Sequence, residues 1–494
     1  MKKTAAAAAA CLLALTGTEL RLPASAETLT AETQSYYAAW KETYLRKNPY
    51  VTDADQYYVF YGDQTYAEAQ KTVPVTVSEA HGYGMLITVM MADYDPEAKD
   101  IFDGMYRYYL AHLSEIGPHL MAWQQSDNGS ALIDTNGADS ATDGDLDIAY
   151  ALLLADSLWG SKGTYDYLET AKCMIDDMMK YEISHVRWVP RLGDWAYDPD
   201  EEEKYRNRTG AAGGWPEEVS SEDYLISALR SSDLILQYFP VFASVSGDDR
   251  WINVYNASNG VIHEKTAFTK YGLLSDFLLP NHVNGWSLSP PNLLEGEHDG
   301  AYSYNACRTP WRIGTDALLN GNPEAVIYAE KVNACIREAC GGDPKKISAG
   351  YEPVRGYALV SYGDLCFTAP LMISAAAAGD TEFHDAIRAE VLDIGIDSYY
   401  GNSIAMLCLI TDDGGWLVPD TEKRIGDINR DYLTNISDVT LLSGWLTGKP
   451  WKLSDWEAGD MNGDGRLDAR DLTLLKRYLL DKAQRETVPA QSLT

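Results

Sequence analysis

The 494-residue sequence predicts an all-α protein, a helical barrel or solenoid followed by a small calcium-binding module. Three observations carry that expectation. Apolar residues recur with a 3.6-residue period in segment after segment, while runs that alternate apolar and polar residues are few. Near the C-terminus an oxygen-rich loop occurs twice, and each copy leads into an apolar helical run.

The chain opens with Lys2 and Lys3, continues through an Ala-rich apolar run to Leu15 and reaches Ala24-Ser25-Ala26, the layout of a secretory signal peptide over residues 1–26. Cys11 has no lipobox around it, which disfavours a lipoprotein. No later segment is apolar for long enough to span a membrane, so secretion is expected. Roughly 390 residues then precede the first loop, enough for one large core, read as a domain over 27–419. Its helical periods cover 79–91, 99–113, 145–159, 165–181, 224–245, 324–339, 383–394 and 399–409, with turn clusters such as Gly160-Ser161-Lys162-Gly163 between them. A short linker, 420–424, leads to the small module, 425–483, and a tail, 484–494.

Formal net charge is −33, and −35 once residues 1–26 are removed. So acidic a surface repels nucleic acid and anionic membranes, which excludes both as partners. Six cysteines remain after that removal: Cys173, Cys307, Cys335, Cys340, Cys366 and Cys408. They are sparse and lie in apolar helical surroundings, so buried free thiols are expected rather than a disulfide framework.

The first loop places Asp427, Asn429, Asp431, Asn435 and Asp438 at positions 1, 3, 5, 9 and 12, and the second places Asp460, Asn462, Asp464, Asp468 and Asp471 at the same positions. A hard cation needs several oxygens converging on one point, and this spacing supplies them, so one calcium ion is expected per loop. An acidic surface turn would not repeat in register. Tyr432 replaces the Gly usual at position 6, which makes the second loop the safer site.

Two acidic clusters open apolar helices in the large domain. Ser78-Glu79-Ala80-His81-Gly82-Tyr83-Gly84-Met85 places Ser78 at an expected N-cap with Glu79 in the first turn. Helix-dipole compensation explains a lone Glu there. Asp143, Asp145 and Asp147 crowd one turn at the start of the next such helix, and capping alone does not account for three mutually repelling acids.

These segments, with Tyr302-Ser303-Tyr304-Asn305-Ala306-Cys307-Arg308-Thr309-Pro310-Trp311-Arg312, resemble glycoside hydrolase family 8 from about residue 36 to 416. The resemblance implies an (α/α)6 barrel with a substrate cleft across the inner helix ends. It makes Glu79 the general acid and gives Asp143 the sugar at the cleavage subsite. It implies inversion at the anomeric carbon, which requires a second carboxylate to activate water. The duplicated loops, with Asp at position 12 and no clear preceding helix, resemble a type I dockerin, which implies docking to a cohesin on a scaffolding protein. In that family positions 10 and 11 help select the cohesin; here they are Ile436 and Ser437, then Ala469 and Arg470.

One departure bears on the chemistry. The best-known cellulase and xylanase branch of family 8 has its base, an Asp, where this chain has Asn305, and an amide cannot take a proton from water at neutral pH. A second branch, containing chitosanases and some glucanases, carries Asn there and a Glu about ten residues earlier. That position is Glu295, taken as the base, with Glu297 as its rival and an ordinary solvated acidic loop as the bland reading. Arg308 and Tyr304 are expected to orient sugar and acid, and Arg312 to be structural.

The 33 Tyr and 13 Trp against 8 Phe suit a cleft in which sugar rings stack on aromatic faces. Trp123, Trp195, Asp223 and Tyr224 are the subsite candidates, with core packing equally open for each ring. His residues show no paired metal spacing, so no catalytic metal is expected. The resulting reading is a secreted inverting endo-hydrolase of β-1,4 or mixed-linked glucan held on a cellulosome. The alternatives are a chitosanase, whose cationic substrate an acidic protein attracts, and a catalytically silent glycan-binding subunit.

Overall fold

In the computed structural model, residues 29–61, 72–201, 225–281, 285–419, 426–429, 434–449, 451, 453–462 and 465–486 are described. Expectations for the signal segment, the linker, Asp223, Tyr224, Asp431 and Asp464 fall outside these residues.

Burial sorts the helices of the large domain into two layers. α2 (Ser78–Met90), α4 (Thr142–Trp159), α6 (Tyr238–Ser246), α8 (Thr309–Asn320), α10 (Leu365–Ala377) and α12 (Tyr399–Asp412) are buried nearly all round over much of their length. α3 (Ala98–Ala111), α5 (Tyr167–Asp177), α7 (Arg250–Phe268), α9 (Pro323–Cys340), α11 (Thr381–Ile394) and α1 (Ala31–Tyr44) bury one stripe each. A helix apolar on every face must be enclosed, and one with a single apolar stripe must lie on the outside. Each inner helix is covered by an outer one, and neighbouring inner helices pack in the order α8, α10, α12, α2, α4. Tyr238 of α6 closes the ring by stacking on Tyr150 of α4 at 3.9 Å between ring centroids. This is the (α/α)6 barrel.

Two glycines set the closest crossing. A Cβ on Gly144 would lie 2.7 Å from the backbone carbon of Ser78, and one on Gly82 would lie 2.8 Å from Cβ of Asp147. Only glycine lets α2 and α4 approach this closely.

Ser78 is not the cap its position suggested. It is the first helical residue, its N–H donates to the Trp123 carbonyl at 2.8 Å, and the preceding Val77 makes no side-chain cap. Capping also fails to explain the three acids of α4, whose N-cap is Ala141. Each has its own partner instead. Asp147 accepts from Arg312 Nη1 at 2.8 Å and Nη2 at 2.5 Å and from Tyr238 at 2.9 Å, while Asp145 accepts the Met121 N–H at 2.8 Å. Asp143 faces the site described below.

Periodicity also misjudged residues 224–245. The described part holds β6 (Leu229–Arg230), a 3₁₀ turn (Ser231–Asp233) and only then α6, so it is not one helix. Leu229 and Arg230 leave helical geometry to pair with Leu278 and Phe277 of β7 (Phe277–Pro280), which itself pairs with β8 (Trp286–Leu288). A second small antiparallel sheet runs β3 (Val73–Val77), β4 (Gln124–Asp127), β5 (Leu132–Asp134), and β3 leads straight into α2. The described cysteines are free thiols, all buried except Cys173. No described helix is long and apolar enough to cross a membrane.

In the C-terminal module α13 (Ile436–Leu446) packs on α14 (Ala469–Glu486), with Ile428, Val439, Leu442 and Leu475 as a separate small core.

The Arg312–Asp147 pair is fully enclosed, so removing one partner strands a charge. Arg312→Met is expected to cost about 3–5 kcal/mol in urea unfolding, and the double variant Asp147→Leu/Arg312→Met to recover most of that loss. Equal losses in the single and double variants would contradict this account.

Candidate active site

The first turns of α2, α4 and α8 meet at one end of the barrel, and their side chains converge on Arg308. Its Nη1 donates to Glu79 Oε1 and, at 2.8 Å, to Asp143 Oδ2, while Nη2 donates to Asn305 Oδ1 at 2.9 Å. Arg308 is itself buried, and such a guanidinium is stable only when anions and acceptors take up its donors. Tyr83 donates to Glu79 Oε1 at 3.0 Å, and the Tyr399 hydroxyl lies 3.5 Å from Oε2.

Two carboxyls in contact with one guanidinium are pushed apart. Burial raises Glu79 above the ordinary carboxyl range, with Arg308 opposing and Asp143 reinforcing the rise. Burial acts on Asp143 in the same sense, but the guanidiniums of Arg230 and Arg308 outweigh it and hold the group down to about 2. The two carboxyls are therefore shifted in opposite senses, Glu79 toward the neutral form and Asp143 toward the anion.

Glu295 sits on the loop after β8. Asp299 pins that loop by accepting the N–H groups of Leu294 at 2.7 Å, Glu295 at 3.1 Å and Gly296 at 2.9 Å. The Asn305 amide donates to Glu295 Oε2 at 2.7 Å, which links Glu295 through Asn305 and Arg308 to Glu79. Glu297 points away, 82% exposed, with His298 as its neighbour at 3.7 Å. The two rivals are thus separated by a loop that is held rather than free.

The aromatic candidates divide. Trp123 carries the carbonyl that anchors the start of α2, and its indole N–H donates to the Asn136 carbonyl at 3.1 Å. Trp195 packs against a small cluster of Leu192, Ala228, Phe277 and Leu279 beside the Glu295 loop. Tyr304 is 39% exposed, its hydroxyl 3.3 Å from Asp364 at the start of α10 and its carbonyl accepting from Tyr400 at 2.6 Å.

Sequence reasoning missed four residues at this site. Arg230 lies 3.6 Å from Asp143 and 3.8 Å from Glu295, Tyr83 and Tyr399 touch Glu79, and Asp233 is fully buried beside them. Tyr83 lies inside a quoted motif and was within reach; the other three come from segments without a chemical pattern.

In the calcium-type loops the two position-12 acids differ. Asp438 accepts the N–H groups of Ile428 at 2.8 Å and Asn429 at 3.3 Å through one oxygen and that of Asn435 at 2.9 Å through the other. Asp471 accepts the Asp468 N–H at 2.8 Å through Oδ2, while its Oδ1 is buried without a hydrogen-bond partner. A buried carboxylate oxygen without a donor suits a cation, so the second loop fits calcium. Among the described residues no three His, Cys, Asp or Glu side chains already form a metal cluster.

A sequence model of glycosyl hydrolases family 8 matches residues 27–175, and one of the dockerin type I domain matches 425–480. A beta-glucanase of Niallia circulans is 35% identical over 398 residues, 78% of this chain and 85% of that protein. Endoglucanase A of Acetivibrio thermocellus is 27% identical over 417 residues, 82% and 72% of the two chains. Among solved structures, the apo β-1,3-1,4-glucanase of Paenibacillus sp. X4 superposes with a TM-score of 0.67 at 34% identity, over 78% of this chain and 92% of that one. A cold-adapted family 8 xylanase shares the fold at 16% identity, with a TM-score of 0.61, over 80% and 93%.

Burial pushes Asp233 up from 3.8 to about 7, with Arg230 opposing. A folded-state value above the unfolded one gives stability that is complete below the unfolded value and is lost as pH rises through the folded one. Measured by thermal unfolding, Asp233→Asn should therefore gain on the wild type between about pH 4 and pH 7 and stay level above that. A difference that is flat across that range would remove the buried-acid assignment.

Proposed function

Because this chain belongs to glycosyl hydrolases family 8 and ends in a type I dockerin domain, we propose that it is a secreted endo-glucanase that inverts the anomeric carbon and works on a cellulosome scaffold. Glu79, protonated in its buried site, gives its proton to the leaving glycosidic oxygen. Asp143, an anion between two guanidiniums, holds the sugar at the cleavage subsite. Glu295 takes a proton from water on the opposite face, with Asn305 orienting its carboxylate.

The observation that carries this reading is the Asn305 amide, which accepts from Arg308 at 2.9 Å and donates to Glu295 at 2.7 Å. An amide there does not abolish the base; it positions one from the neighbouring loop. Trp123, Trp195 and Tyr304 offer rings to successive sugars, and neutral sugars suit them by stacking through C–H faces. The substrate is β-1,4 or mixed β-1,3-1,4 glucan, in keeping with the beta-glucanase and β-1,3-1,4-glucanase at 35% and 34% identity.

The dockerin would hold calcium through Asp460, Asn462, Asp464, Asp468 and Asp471, and through Asp427, Asn429, Asp431, Asn435 and Asp438. Calcium held by these oxygens would couple loop closure to the placing of the exposed ends of α13 and α14, where Ile436 is 70% exposed, for a cohesin.

Purified protein should release reducing ends from barley β-glucan, and NMR should show the α anomer first. Glu79→Gln and Glu295→Gln should each lose about a hundredfold or more in kcat, with Glu297→Gln near wild type. Release only from chitosan would replace the glucan assignment, and first-formed β product would refute inversion. For the module, cohesin capture should vanish in EDTA and return with calcium, and Asp471→Ala should weaken it more than Asp438→Ala; capture indifferent to chelation would remove calcium from the account.

A further inference from the structure

Arg230 lies in none of the motifs that identify this family, yet it stands between two of the carboxyls assigned above. It ends β6, where pairing with Phe277 fixes its backbone, and its guanidinium lies over the Phe277 ring at 5.8 Å. The side chain is 11% exposed, with Nη1 3.6 Å from Asp143 Oδ1 and Nη2 3.8 Å from Glu295 Oε1. Its Nε is buried and makes no hydrogen bond. Asp233 is fully buried on the 3₁₀ turn that follows, and its Oδ2 also has no hydrogen-bond partner.

Counting charge accounts for this arrangement. Two guanidiniums, Arg230 and Arg308, face four carboxyls: Glu79, Asp143, Asp233 and Glu295. Burial raises Glu79 and Asp233. Burial thus disfavours charge on those two, and the guanidiniums of Arg230 and Arg308 face the carboxyls of Asp143 and Glu295 at ion-pair distance. A buried cluster is stable when its charges cancel and costly when they do not.

We infer that Arg230 is a positioning residue for hydrolysis: its forked guanidinium ties the Glu295 carboxylate to Asp143, which fixes the attacking water relative to the sugar ring. Asp233, which burial pushes toward its neutral form, competes less for Arg230 than those two carboxyls do. The inference rests on Glu295 as base. Arginine suits the task because its planar fork presents two donors at a fixed spacing, whereas an ammonium is a single point. A guanidinium serving only as a prop for the cleft wall would act on substrate affinity instead.

The test is steady-state kinetics of the full-length chain on barley β-glucan, comparing wild type with Arg230→Ala and Arg230→Lys. Arg230→Ala should lower kcat by about tenfold to a hundredfold with KM within about threefold, and Arg230→Lys should recover part of the loss. A wild-type kcat in Arg230→Ala, or a loss confined to KM, overturns the inference while the hydrolase reading stands. Should Arg230→Ala not fold, a wild-type kcat in Arg230→Lys overturns it equally. A wild-type chain that releases no reducing ends overturns the hydrolase reading and this inference together.

Discussion

Two parallel ion pairs between α4 and α8 hold the barrel and the site in one register. Asp143 meets Arg308 and Asp147 meets Arg312; the two acids lie one turn apart on α4, and Arg308, the residue that caps α8, lies four positions before Arg312. Such a ladder fixes both the rotation and the height of one helix relative to the other. The inner rung is enclosed, and its partners, Tyr238 and the face of Trp311, leave its charge no access to water. The outer rung is also buried and shares its guanidinium with Glu79. Structure and chemistry therefore use the same device one turn apart, and a shift that broke the inner rung would misplace the outer one.

The convergence of first turns gives that end of the barrel its electrostatic character. The positive dipole ends of α2, α4 and α8 point toward one place, and Arg230 and Arg308 add full charges there. Carboxyls are drawn to such a place, but burial resists ionising all of them. The outcome is a division in which Asp143 is held down to about 2 while Glu79 is shifted upward by burial.

Asn305 shows how one substitution is absorbed. An amide in place of a carboxylate gives up the ability to take a proton but keeps an acceptor for Arg308, and it adds a donor that reaches Glu295. The loop carrying Glu295 is held by three N–H groups on the Asp299 carboxylate, so this donor meets a fixed target. The C-terminal module uses the same chemistry differently. Backbone amides already engage both oxygens of Asp438, whereas Asp471 keeps one buried oxygen free of any donor.

The sequence by itself determined the helical class and the duplicated loops, because each leaves a local pattern, a 3.6-residue period or a repeat in register, while Glu79, Asp143, Asn305 and Arg308 stood out through the resemblance to family 8. It did not disclose α10, which is apolar on every face and so has no period to detect, nor α8, whose helix follows directly on the Asn305–Arg308 motif. Residues 224–245 misled for a related reason, since burial from all sides makes a strand, a turn and a helix look alike in an apolar run. The holding of the Glu295 loop by Asp299, the exposure of Glu297 and the place of Arg230 between Asp143 and Glu295 were decided only by the tertiary structure. Those properties depend on burial and on charges brought together from distant parts of the chain, and no local pattern encodes either.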